Sequence, residues 1–258
     1  MKPIFHTSAL PEHYDPAAET YDAFNEQLSA TINQTITNIL KEHKVRSVLD
    51  MTCGTGSQVF WLTQEGFKVV GSDINKKMLD IARQKAKANN LDIQFIEGDM
   101  RTTQIDTFDA VITIFNAVGH LTKSDFEQAI RNIYSNLNPG GLYIFDIFNL
   151  DYLLHGNNIT TLTIDWQKIV DNIAVRDIQY STIDQAGILS SYTTHYVKKD
   201  NEEPTITESA QTLQVYTAQQ LQDMLQRNGF KVLNQCAIDG SSFAPYETER
   251  ILIVAQKV

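Results

Sequence analysis

Three carboxylates stand at the ends of three apolar runs. Asp50 closes Ser47-Val48-Leu49, Asp73 closes Lys68-Val69-Val70-Gly71-Ser72, and Asp99 follows Asp92-Ile93-Gln94-Phe95-Ile96-Glu97-Gly98. After Asp50 comes Met51-Thr52-Cys53-Gly54-Thr55-Gly56, a glycine-punctuated turn that leads into a helical pattern from Ser57 to Glu65. Glycines let a backbone come close to a ligand, and the N-terminus of the helix faces the same spot. An acidic side chain at the second strand end, 23 residues after Asp50, can accept both hydroxyls of a ribose. Asp99 with Met100 puts a carboxylate and a soft apolar side chain where an adenine would lie. The chemistry this predicts is the binding of a nucleoside.

Two kinds of nucleoside site compete. A nicotinamide dehydrogenase requires G-x-G-x-x-G with a pyrophosphate on the helix end. Here the third position of that pattern is Val59, and Asp50 would repel a pyrophosphate. An acidic strand end suits a ligand carrying a cationic amine or a sulfonium instead.

Leu49-Asp50-Met51-Thr52-Cys53-Gly54-Thr55-Gly56 resembles the D-x-x-C-G-T-G signature of the class I S-adenosylmethionine-dependent methyltransferases. Val69-Val70-Gly71-Ser72-Asp73-Ile74 with Met78-Leu79, then Gly98-Asp99-Met100-Arg101, then Phe108-Asp109-Ala110-Val111 resemble the next three motifs of that family in order, so the resemblance covers about 45–147. Thr52 departs from the pattern, standing where Gly or Ala is usual. The resemblance implies S-adenosyl-L-methionine as cofactor, with Asp50, Thr52, Cys53, Gly54, Gly56, Asp73, Ile74, Met78, Gly98, Asp99, Met100, Phe115 and Tyr14 about it.

The elements that must position these residues follow a βαβ rhythm. Strands are expected at about 45–50, 68–73, 91–97, 108–115 and 141–147, with helices at about 57–65, 75–89 and 123–137. Asn138-Pro139-Gly140-Gly141 closes the last helix and launches the fifth strand. Upstream, 17–43 reads as two helical patterns, the second carrying Ile32, Ile36, Ile39 and Leu40 on one face. From Asp151 the pattern changes to long segments rich in Thr, Ile, Tyr and Val at 160–170, 173–184, 188–198 and 205–215, punctuated by Asp184-Gln185-Ala186-Gly187 and Lys199-Asp200-Asn201-Glu202. A helix at 217–228 and strands at 230–238 and 250–257 then return to the sheet. The expected fold is α/β: a Rossmann-like seven-stranded sheet with helices on both faces, formed by 45–150 and 215–258. An N-terminal helical cap (1–44) precedes it, and an antiparallel β insertion (151–214) follows strand five.

An insertion at that point resembles the small-molecule subgroup that includes amino-sugar N,N-dimethyltransferases. Phe115-Asn116-Ala117-Val118-Gly119-His120-Leu121 resembles its F-x-x-x-G-H-L segment, and Tyr21-Asp22-Ala23-Phe24 its N-terminal Y-D element. An amine acceptor must arrive uncharged, and His120 is the candidate to take or relay the proton. The resemblance sets Tyr21 over the sulfonium, where an electron-rich ring attracts positive charge. Trp166, Arg176, Tyr192, His195, Tyr246 and Arg250 are candidates for lining the acceptor cavity, although alternation along a strand sends half of such a set to solvent.

Composition narrows the partners. The 258-residue chain, 42% hydrophobic, is long enough for a large core, and its net charge of −10 disfavours nucleic acid, whose binding relies on Lys and Arg clusters. Two cysteines and six scattered histidines offer neither a disulfide framework nor a metal clamp, and no metal is expected. No apolar run approaches the roughly 18 residues of a membrane span and no signal peptide is read, so a cytoplasmic protein is expected. After strand four the chain has Phe115-Asn116-Ala117-Val118 rather than [DN]-P-P-[YF], which lowers base and glutamine methylation in rank. The expectation is methyl transfer to a small-molecule acceptor, at an amine nitrogen ahead of a hydroxyl, with a homodimer through the insertion. Small-molecule O-methylation and non-catalytic binding of the cofactor or its demethylated product stay open as alternatives.

Overall fold

A computed structural model describes residues 5–15, 18, 21–170, 173–200 and 202–258, with only the backbone described for Tyr14, 21–28 and Val170. A 3-10 turn (Pro11–Tyr14) precedes helix α1 (Tyr21–Glu42). Then come β1 (Ser47–Asp50), α2 (Ser57–Gln64), β2 (Lys68–Asp73), α3 (Lys76–Ala88), β3 (Gln94–Glu97) and β4 (Phe108–Thr113). A 3-10 turn (Ala117–His120), α4 (Lys123–Ser135) and β5 (Leu137–Phe148) follow. Helix α5 (Leu150–Leu154) and a 3-10 turn (Asn158–Leu162) lead into β6 (Ile164–Val170), β7 (Ile173–Ile183), β8 (Ile188–Lys199) and β9 (Thr205–Gln214). Helix α6 (Ala218–Arg227), β10 (Phe230–Ala237) and β11 (Arg250–Lys257) complete the chain.

The strands form a seven-stranded sheet of order β10-β11-β5-β4-β1-β2-β3 and a separate four-stranded sheet β6-β7-β8-β9. In the large sheet β1 to β5 run parallel, and β11 lies antiparallel between β5 and β10. The chain winds outward through β2 and β3, then crosses back to place β4 on the other side of β1. That reversal opens a crevice at the carboxyl ends of β1 and β4, where open α/β sheets bind ligands.

Strand alternation divides the interior into two layers. Leu49, Val111, Phe145 and Ile253 pack with Phe126, Ile130 and Ile133 of α4 and with Leu221 and Leu225 of α6. Val48, Ala110, Ile112, Ile144 and Leu252 face the other way, onto Ile32, Ile36 and Leu40 of α1 and Leu79 of α3. The two helical patterns read over 17–43 are corrected to one helix from Tyr21 that lies on a sheet face, because its buried residues recur every fourth position. Several strand bounds also move: β1 starts at Ser47, and β6 starts only at Ile164, because the 3-10 turn Asn158–Leu162 takes the first residues expected in it. β3 starts only at Gln94, since Leu91 still donates to Ala86 O of α3. β4 stops at Thr113, and β5 begins at Leu137, taking Asn138-Pro139-Gly140-Gly141 into an irregular start where the register against β4 shifts.

The small sheet joins the core at its base. Leu189 and Leu213, paired across β8 and β9, belong to the first layer, whereas 205–211 of β9 are exposed. Gly187, with φ +84°, closes the β7–β8 turn against Val215, a position where a side chain would strike backbone. No helix among the described residues is long and apolar enough to cross a membrane.

Candidate active site

The floor of the crevice is the end of β1. Asp50 is 1% exposed; its Oδ1 accepts from Thr52 N at 3.1 Å. Among the described residues its Oδ2 is buried without a partner, and so is Thr52 Oγ1. Burial, with the charge of Asp73 adding and the Thr52 amide opposing, pushes the Asp50 carboxyl up to about 8. Gly54 holds φ +52° with open space beside it, so the loop passes without a side chain in the way. Its amide donates to Asp73 Oδ2 at 2.8 Å, and the amide of Asn75 donates to Asp73 Oδ1 at 2.8 Å. Burial raises Asp73 as well, against the pull of the Asn75, Gly54 and Ile74 amides.

At the end of β3, Asp99 meets Arg101. Arg101 Nε lies 3.0 and 2.9 Å from the two Asp99 oxygens, and its Nη1 reaches Asp125 Oδ2 at 2.9 Å. Partial burial would raise Asp99, but the hydrogen bonds and charge of Arg101 prevail and hold it below the usual carboxylate range.

Beyond β4 the backbone turns sharply. Phe115 and Asn116 are consecutive non-glycine residues with φ +63° and +58°, a left-handed conformation that L side chains disfavour. Four hydrogen bonds hold it. Phe115 N donates to Asp146 Oδ1 at 2.6 Å, Phe148 N donates to Asn116 Oδ1 at 2.8 Å, and Arg250 pairs with Asp146 through Nε at 3.0 Å and through Nη2. The Arg250 guanidinium also lies 5.6 Å from the centres of both the Phe115 and the Phe148 rings. Strain of this kind persists only where its surroundings enforce it, and it clusters at working sites.

These ends surround a cleft of about 760 Å³ including its open mouth. Of the candidate residues, Thr52, Gly54, Asp73, Ile74, Met78, Asp99, Met100, Phe115 and His120 line it. Asp50, Cys53, Gly56 and Gly98 do not. Asp50 is buried below the lining. Cys53 turns its thiol toward Gly54 O and Gly71. At Gly56 a side chain would strike the Phe60 ring, and one at Gly98 would strike Thr103 and Ser72, so close packing requires glycine at both. The side chains of Tyr14 and Tyr21 lie outside the described residues.

The sequence reading missed the roof. Residues 5–15 cross the cleft as a strap from which Ala9, Leu10, Pro11 and His13 line it. His13 packs on His120 with ring centres 5.1 Å apart. Burial, reinforced by the nearby His13 and His6, holds His120 down at about 3. Burial therefore favours the neutral imidazole at His120. An adjoining cavity of about 910 Å³ shares Ala9, Leu10, His13 and His120 with the cleft and extends to Glu12, Gln211 and Thr212.

None of the six expected acceptor residues lines the cleft. Arg176 pairs with Asp165 across two strands, and His195 bonds Asp177 on the opposite face of the same sheet. Tyr192 stacks on Tyr180 at 5.0 Å, and Trp166 is 42% exposed. Tyr246 stacks on His155 at 4.7 Å, and Arg250 is the buried partner of Asp146. Alternation and the outward reach of the inserted sheet, which leave these strands' far rows away from the crevice, account for the first four.

Sheet order, reversal point and carboxylate-tipped strands define the class I methyltransferase fold. Residues 48–141 match the family described as a methyltransferase domain. It is 32% identical to the glycine N-methyltransferase of Mus musculus over 56% of either chain. The rat glycine N-methyltransferase is 36% identical over 45% of each, so the chain spans about half the length of these curated relatives. Among solved structures it is similar to an S-adenosylmethionine-dependent methyltransferase from Clostridium acetobutylicum (TM-score 0.76, 18% identity, covering 95% of this chain and 98% of that one). It is also similar to the sugar N-methyltransferase KedS8 from Streptoalloteichus sp. (TM-score 0.75, 17% identity, covering 100% and 97%).

Proposed function

We propose that this chain is an S-adenosylmethionine-dependent methyltransferase that acts on a small molecule at an amine nitrogen. The observation that carries the reading is the pair of buried, unpartnered oxygens, Asp50 Oδ2 and Thr52 Oγ1, at the floor of the cleft. Native proteins rarely leave such atoms unsatisfied. An acid below the floor favours a cationic ammonium, and a hydroxyl suits the carboxylate beside it, so the amino-acid end of the donor fits there. Asp73 fits the ribose, and Asp99 with Ile74, Met78 and Met100 fits the base.

When bound, the donor supplies an electrophilic methyl group on a positively charged sulfur. The chain holds the reactants in contact, from which much of the rate of a direct displacement derives. Ala9, Leu10 and Pro11 of the strap keep water from the cleft. Phe115, fixed by Asp146, and neutral His120 shape the acceptor side. The adjoining cavity beside Glu12, Gln211 and Thr212 supports entry of a small polar acceptor between the strap and β9. The names of the relatives, which act on glycine and on sugars, support a small amine. The exposed Ile169, Ile178, Tyr180 and Ile206 of the inserted sheet support its pairing with a second copy.

Isothermal titration with S-adenosylmethionine and S-adenosylhomocysteine tests the donor. Both bind the wild type, and Asp73→Ala weakens both by at least about tenfold, the loss of charge-assisted bonds to the sugar hydroxyls. Unchanged affinity would remove the ribose assignment. A release assay for S-adenosylhomocysteine across small amines, amino sugars and hydroxy acids tests the acceptor, and turnover confined to hydroxyls would replace nitrogen by oxygen.

A further inference from the structure

The strap is clamped at two places. On one side Asn75, itself the cap of α3, donates to Pro11 O at 2.7 Å and to Asp15 Oδ1 at 2.9 Å. On the other, Ser8 Oγ donates to Asp125 Oδ2 at 2.5 Å and accepts from Thr122 N at 3.0 Å, while Ala9 N bonds His120 O at 2.9 Å. The four strap residues that line the cleft lie between these clamps. Asp125 Oδ2 also receives Arg101, whose other edge fixes both oxygens of Asp99. Hydrogen bonds therefore run without a break from the carboxylate at the base end of the cleft to the roof above it.

We propose that Ser8 and Asp125 are positioning residues for donor binding: they latch the strap over the cleft through the arginine that orients Asp99, so that the base end and the roof close as one unit. This rests on the reading that the cleft holds the methyl donor. Asp99 has no freedom to turn while Arg101 grips it, and Arg101 keeps its angle because Asp125 takes its third nitrogen. Removing the Ser8 hydroxyl takes away its bonds to Asp125 and Thr122, loosens the roof at that clamp and leaves the floor intact. The latch therefore governs escape of the ligand more than its recognition, since groups that hold a formed complex act mainly on the rate of dissociation.

The test uses the whole chain and S-adenosylhomocysteine, with dissociation followed by surface plasmon resonance. Ser8→Ala dissociates about fivefold faster than wild type, as expected for one partly exposed charge-assisted bond, and Ser8→Thr, which keeps the hydroxyl, stays within about twofold. Asp125→Ala is faster still, and adding Ser8→Ala to it changes nothing further, because both act through one link. Hydrogen exchange gives a second readout: ligand slows exchange of the Ala9 amide in the wild type, and much less so in Ser8→Ala. Wild-type dissociation from Ser8→Ala, or equal acceleration by Thr and Ala at position 8, overturns the latch. Absence of binding to the wild type overturns the donor reading beneath it instead.

Discussion

Replacing Asp50 by Asn should make the ligand-free protein more stable and its donor binding weaker. Asp50 sits at 1% exposure with one oxygen unpartnered, and burial lifts its carboxyl from an ordinary 3.8 to about 8. The folded state therefore binds a proton at Asp50 that the unfolded chain releases above pH 4, and stability falls as pH rises from that point until about 8. At ~1.36 kcal/mol per pH unit, keeping the acid protonated costs about 4 kcal/mol at pH 7. Asn has nearly the same shape, keeps the bond from Thr52 N and carries no charge to suppress. Urea unfolding at a series of pH values is the assay. The variant should match the wild type near pH 4 and exceed it by up to about 4 kcal/mol at pH 7, while its affinity for S-adenosylmethionine, a cationic ligand, falls. A variant less stable than wild type at pH 7, or a stability gap that does not widen with pH, would refute the burial argument.

Two further outcomes concern the turn after β4. Asn116→Ala keeps φ +58° without the side chain that accepts from Phe148 N, and should lower stability by about 2–3 kcal/mol in urea; a change under about 0.5 would mean that the turn relaxes freely. Arg250→Leu leaves Asp146 charged and buried with no cation, and should cost about 3–5 kcal/mol, with donor affinity falling because Phe115 loses its support. Wild-type calorimetric stability would place the pair outside the folding energetics.

Much of this architecture could be read from local pattern. Apolar runs ending on Asp50 and Asp73 fixed where β1 and β2 stop, and segments rich in Thr, Ile, Tyr and Val punctuated by two polar turns located β7, β8 and β9 to within a residue, while the start of β6 was lost to the 3-10 turn Asn158–Leu162. The strap could not be read that way. Its bonds join Ser8 to Asp125 and His6 to Thr212, over 117 and 206 residues, and no periodicity announces such a contact. Arg101 was visible only as the neighbour of Asp99, because a cation two residues from an acid says nothing of the second carboxylate it also reaches. Gly56 and Gly98 carry the same letter as Gly54, yet only the packing of Phe60 and Thr103 distinguishes a glycine that makes room for a neighbour from one that makes room for a ligand. The acceptor residues failed for a related reason, since a strand's composition does not reveal which of its rows lies near the crevice.

Among the described residues the inserted sheet is rooted in the core by Leu189 and Leu213, with Ile183 packed beside them, while its outer rows pair across neighbouring strands. Such a graft can be rewritten at its tip without disturbing the trunk. Substitutions in its outer rows would leave the strand ends that line the cleft as they are, because no described outer-row residue of the inserted sheet lines it.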